Sequence, residues 1–200
     1  MKTNFIILLI SGILIGQNLF ADSPLTSTDI SNAYKDSKIV QLASTTDGML
    51  NDELMNYLFD SKNPIELKIA LISKLGWNFD GKSNSKVFYE YLKKNNLKDI
   101  NEASADILIC YAYLKALDNY FDVEEAIIYA QKAKLKNGKS YTISIICALI
   151  EAQKAMDSDW CEVYKLTNNV RLNGTLIKDL KEEAVNIIFE YTDGYREYCN

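Results

Sequence analysis

From Asp47 onward the apolar residues recur at helical spacing and never at the two-residue alternation of a strand. Leu50, Leu54 and Leu58 fall four apart, and the run stops at Asp60-Ser61-Lys62-Asn63-Pro64. There the next helix starts, with Asn63 as cap, Pro64 where its missing N–H costs nothing, and Glu66 three residues after the cap. Ile65, Ile69 and Ile72 line one face of it, beside Leu71 and Leu75, up to Gly76. Ser85 then caps a helix carrying Val87, Phe88, Tyr91 and Leu92. Ala103 to Leu117 is apolar on most sides, the pattern of a helix buried between neighbours.

Asp122 and Glu125 have capping-box spacing ahead of the stripe Val123, Ala126, Ile127, Ala130 and Ala133, which Asn137-Gly138 closes with a left-handed cap. Tyr141 to Ala155 is again apolar all round. Asp159 and Glu162 form a second capping box before Val163, Leu166 and Val170, closed at Asn173-Gly174. Leu176 to Tyr191 is a last amphipathic helix, with Ile177, Leu180, Ala184 and Ile187 inward, before the tail from Thr192 to Asn200. The pattern predicts an all-α protein.

The caps Ser85, Asp122 and Asp159 stand 37 residues apart, twice over, and the same shift lays Cys110 on Cys147 and Glu125 on Glu162. In each unit a nearly all-apolar helix precedes an amphipathic one. An equal period of this length predicts a stack of antiparallel helical hairpins, a short α-solenoid, because no unit of that kind buries its apolar face alone. Residues 47–200 would form this helical repeat domain. Residues 22–46, rich in Ser, Thr and Asp, predict a flexible leader with one short helix over 30–42.

The N-terminus changes the picture of where the protein works. Lys2 precedes an apolar run from Phe5 to Ile15, and Leu19-Phe20-Ala21 supplies a cleavage site, so residues 1–21 predict a secretory signal peptide. Counted out to Phe20 the run is 16 residues, short of the ~18–20 a spanning helix needs, and no stable membrane anchor is expected. The protein is expected to be secreted or periplasmic.

Phe121-Asp122-Val123-Glu124-Glu125-Ala126-Ile127, with Ala130 and Ala133 after it, resembles the second helix of a tetratricopeptide or Sel1-like repeat, with Ala at the helix start and again seven residues on. The resemblance implies a helical-hairpin scaffold that binds a protein or peptide.

Composition narrows the chemistry further. The net charge is −5, without clustered basic residues, which speaks against nucleic-acid binding. The absence of histidine removes Ser-His-Asp and Cys-His catalysis and the main nitrogen ligand of zinc. None of the four cysteines, Cys110, Cys147, Cys161 and Cys199, shows C-x-x-C spacing; three pairings remain open, as does a buried apolar role for Cys110 and Cys147.

The stretch Gly76-Trp77-Asn78-Phe79-Asp80-Gly81-Lys82-Ser83 spells the phosphate-binding G-x-x-x-x-G-K-[ST]. That motif needs a strand before it, and the residues before Gly76 carry a helix pattern instead; Trp77 and Phe79 are also bulky for a loop that wraps a phosphate. No nucleotide is expected. Read as a calcium loop with Gly81 at the sixth place, the stretch lacks the carboxylates at both ends that calcium needs. Ser83-Asn84-Ser85-Lys86 fits S-x-x-K, but no K-T-G accompanies it and a plain cap explains Ser85. Asn173-Gly174-Thr175 spells a glycosylation sequon and equally a helix stop.

These readings combine into an exported, non-catalytic, single-copy helical-repeat protein that uses no cofactor or metal and binds a protein or peptide partner in the cell envelope, as a scaffold, immunity protein or inhibitor. The candidate contact residues are Trp77, Phe79, Asp80 and Lys82 in the turn, with Tyr111 and Tyr113 from the repeat units. The competing reading is a small carboxylate-dependent cell-wall or glycan hydrolase, since the spacing of two carboxylates is a three-dimensional quantity.

Overall fold

Helix starts in this chain are set by side-chain oxygens that accept from the amides left without a carbonyl partner. Asn51 accepts from the Leu54 amide, Ser104 from Ile107, Ser140 from Ile143 and Asp159 from Glu162. The computed structural model describes residues 22–77 and 81–199. Among them the regular structure is all helical: α1 (Lys38–Ala43), α2 (Asp52–Phe59), α3 (Ile65–Leu75), α4 (Asn84–Lys94), α5 (Ala105–Asp118), α6 (Glu124–Lys136), α7 (Tyr141–Ala155), α8 (Trp160–Leu172) and α9 (Glu182–Thr192). Three 3-10 turns, Ile30–Tyr34, Ile100–Glu102 and Asp193–Tyr198, join them. The expected signal peptide lies outside the described residues. Among those described, no helix is long and apolar enough to cross a membrane.

α7 lies at the centre, every residue from Tyr141 to Ile150 buried. α5 packs on α6, α7 on α8, and α6 and α5 both on α7. α5 and α7 carry large aliphatic side chains into this core, while α6 contributes Ala126, Ala130 and Ala133. Cys161 is disulfide-bonded to Cys199, which fastens the C-terminal turn to the first turn of α8; Cys110 and Cys147 are free and buried.

Several local expectations are corrected. α4 begins at Asn84, one residue before Ser85, because its first amides are capped from a distance: the Asp118 carboxylate accepts from Asn84 N at 3.1 Å and Ser85 N at 2.7 Å. The N-cap position of α6 is Val123 rather than Asp122, whose Oδ1 accepts from Glu124 N at 3.4 Å. α4, α6 and α8 therefore start 40 and then 36 residues apart, not at an equal spacing. The glycines after α6 and α8 do not adopt positive φ; Asn137 and Asn173 leave those helices in extended or near-extended backbone instead.

α9 starts at Glu182, later than Leu176, because the preceding residues are drawn to the start of α7. Ile177 exchanges backbone hydrogen bonds with Lys139 and Tyr141, and the Asp179 carboxylate accepts from Ser140 Oγ (2.6 Å) and Thr142 N (2.8 Å). Ile177 consequently stays exposed, and Ile188 and Phe189 are buried on α9.

Residues 22–46 are packed rather than loose. Leu25, Ile30, Tyr34, Val40 and Ala43 belong to the core, and the short helix expected over 30–42 is split into the 3-10 turn and α1. Tyr34 is the hinge pin: its hydroxyl donates to Glu66 of α3 at 2.6 Å and accepts from Lys181 N at 3.0 Å, tying the start of the chain to the start of α9.

Candidate partner-binding groove and the 76–83 turn

Gly76 follows a helix, not a strand, and Lys82 of the same stretch is already committed. Lys82 Nζ donates to the carbonyl oxygens of Leu75 and, at 3.1 Å, Gly76, capping the C-terminus of α3 where a cation is favoured. Gly48 makes room for it: φ is +76°, and a Cβ there would meet Lys82 Nζ at 2.4 Å and the Leu75 oxygen at 2.7 Å. Burial pushes the Lys82 ammonium below its ordinary pKa, and the Asp118 charge opposes that shift. Burial pushes the Asp118 carboxyl upward, against the pull of the Ser85 and Asn84 donors and of Lys82. Lysine and carboxylate thus hold the ends of α3 and α4.

The other sequence-selected residues are dispersed by the fold. Trp77 packs edge-on against Tyr120, ring centroids 5.1 Å apart. Tyr113 is buried, near Ser73 and Asp29, and burial pushes its phenol well above the ordinary range. Trp77 and Tyr113 share the lining of a pocket of about 200 Å³ with Asp29, Ser73, Lys74 and Leu117. Tyr111 is buried on α5 in a row of rings, 6.0 Å from Tyr89 of α4 and 5.0 Å from Tyr129 of α6. Tyr111 and Tyr113 are thus buried core residues. Phe79 and Asp80 lie outside the described residues.

A concavity of about 700 Å³ lies elsewhere, between α2 and α4. Met55 of α2 with Val87 and Tyr91 of α4 give it an apolar lining, and Asp52, Lys86, Glu90 and Lys94 bring charges of both signs. Local sequence explains the shape. Leu54 and Leu58 anchor α2 through one edge, and Phe88 and Leu92 anchor α4, so the neighbouring positions 55, 87 and 91 turn toward the space between. Tyr91 is held there: its hydroxyl donates to Asn56 Oδ1, Phe59 meets its ring edge-on at 5.9 Å, and Phe88 stacks at 6.4 Å. A second hollow of about 510 Å³, lined by Ser37, Lys38, Ile39, Leu42, Glu53 and Tyr57, flanks the other side of α2.

Chemically, an apolar lining edged by amides and charges suits a short peptide segment: apolar side chains enter, and Asn56 and Asn95 offer hydrogen bonds to its backbone. Among the described residues no cluster of three or more His, Cys, Asp or Glu is placed to hold a metal ion. Val87 and Tyr91, beside the stronger core pair Phe88 and Leu92, were the sequence signal for this groove; an i, i+4 pair one position off the core stripe lines an edge. No protein-family model, curated protein or solved structure matches the chain.

Proposed function

We propose that the protein is an exported, non-catalytic stack of helical hairpins, built like tetratricopeptide or Sel1-like repeats, that binds a protein or peptide partner in the cell envelope through the α2–α4 groove. The observation that carries this is the groove itself, a concavity of about 700 Å³ with an apolar lining and charges of both signs. Pairwise packing of α5 on α6 and α7 on α8 supports the hairpin stack. The Cys161–Cys199 disulfide supports export, since such bonds persist in oxidising compartments. Asp118, Asp159 and Asp179 are engaged as helix caps, which favours a structural use of these carboxylates.

Cross-linking in the native envelope tests the proposal: a specific partner is recovered with the native chain and lost with Val87→Asp. Recovery undiminished by that variant places binding elsewhere. The hydrolase reading keeps one supporting observation, Asp52 on α2 and Glu90 on α4 at the same groove, although Glu90 pairs with Lys93 at 2.7 Å. Glycan release by the purified chain, abolished by Asp52→Asn or Glu90→Gln, would establish it.

A further inference from the structure

The side chains of α6 are arranged the wrong way round for a helix with nothing outside it. Its inward stripe is small, Ala126, Ala130 and Ala133, all buried. Ile127 and Tyr129 pack against the core, but Ile128 is 50% and Leu135 86% exposed, and Phe121, in the turn before α6, is 73% exposed beside its stack on Tyr120. A surface helix ordinarily turns its large apolar residues to the core and its polar ones to water. Ile128 and Leu135 are two helical turns apart, within ~20° of the same face, so they share one face of the helix; Phe121 lies in the turn before its N-terminus.

The charges beside this row run in a definite sense. Glu124 and Glu125 occupy the first turn of α6, and Lys132, Lys134 and Lys136 follow toward its end. We propose that this face of α6 docks a second copy of the chain, antiparallel about a two-fold axis through Ile128. With Ile128 on its mate, positions along the helix mirror about 128: Glu124 meets Lys132 of the other copy, and Leu135 runs toward the turn that precedes the other copy's α6. A parallel arrangement would set Glu on Glu and Lys on Lys. The face is self-complementary, as a two-fold interface must be.

In the single chain Glu124 pairs with Lys154 at 3.3 Å and Lys132 donates to Asn101 Oδ1. Both contacts are exposed and exchange readily for the partner's charge. The apolar row supplies the affinity, and the charges set direction and register. Acid at one end of the row and base at the other also separate it from a membrane-binding helix, whose polar face is rich in lysine. The dimer replaces the single-copy expectation and leaves the α2–α4 groove uninvolved.

Sedimentation velocity and light scattering on the full exported chain test this. A reversible dimer is expected below about 1 mM, and Ile128→Glu, which sets two carboxylates against each other on the axis, raises its Kd at least about tenfold with an unchanged helical circular dichroism spectrum. Glu124→Lys weakens the dimer, and adding Lys132→Glu restores it. A native chain monomeric up to about 1 mM overturns the proposal, as does a dimer indifferent to Ile128→Glu. So does a monomer that pellets with anionic phosphatidylglycerol vesicles in an Ile128-dependent way, because the face would then serve a membrane.

Discussion

α7 and α2 sit at opposite extremes of how this chain uses a helix. α7 is buried through ten consecutive residues, Tyr141 to Ile150, and its first turn is fixed by Ser140 and by the remote Asp179 carboxylate. α2 buries Leu54, Met55 and Leu58, touches α1, α3, α4 and α5 only lightly, and has hollows of about 700 and 510 Å³ on its two flanks. A helix surrounded by its neighbours has no surface left for a ligand. One held along a single edge contributes less to stability, and its open sides are where recognition can occur.

The sharpest way to break this contrast is to remove the same kind of bulk from each region. Leu149→Ala in α7, at a site with 0% exposure, should cost about 2–5 kcal/mol of stability, whereas Met55→Ala, where the space left opens to the groove, should fall at the low end, about 2 kcal/mol. Urea denaturation of both variants checks this, and equal losses would erase the distinction. Next in size, Cys199→Ser opens a bond spanning 38 residues and should lower stability by about 3 kcal/mol. The signature is a loss confined to the C-terminal turn, visible as trypsin cleavage at Arg196 before the rest of the chain is cut.

A smaller effect is expected at the start of α4. Asp118→Ala removes the acceptor for two helix amides and should cost about 1–2 kcal/mol, with faster hydrogen exchange at Asn84 and Ser85. Unchanged exchange there would show that Ser83, at the N-cap position without a side-chain bond, suffices.

Alkaline pH titrates the buried thiols of the closed core, together with buried phenols such as Tyr113. Burial pushes the Cys110 and Cys147 thiols up to about 12. A group whose folded value lies above its unfolded value gives stability that is whole below the unfolded value and lost above it. Stability should therefore decline from about pH 8.5, the ordinary thiol value, toward the folded value of about 12. Cys110→Ala should flatten the part of that decline which belongs to its thiol, and a native melting temperature unchanged between about pH 8 and about pH 10 would contradict the assignment.

Most helices were legible in the order of residues. α7 runs from Tyr141 to Ala155, the span its apolar run predicts, and Asp159 caps α8. α3 follows the Asn63-Pro64-Glu66 signal, with Pro64 itself at the N-cap position and Asn63 turned back to the Tyr57 carbonyl. The errors fall where a distant residue supplies what a local one was expected to supply. Asp118 takes over from Ser85, Asp179 and Tyr141 hold residues 177–179 out of α9, and Tyr34 draws the leader into the core. Such contacts span more than 30 residues and leave no local pattern.

The candidate site was less legible. A run of letters drew attention to the 76–83 turn, where Lys82 turns out to cap α3. The groove depends on how α2 lies against α4, and the sequence reading placed Val87 and Tyr91 on a helix without assigning them a surface.

Site-specific photo-cross-linking tests the central claim most directly. A photoreactive residue is placed at Val87 in the groove and, in a second protein, at exposed Glu190 on α9, each in the full exported chain. The account predicts a discrete adduct with an envelope protein or peptide from Val87 and none from Glu190. Adducts of equal yield from both positions, or none from Val87, would contradict it.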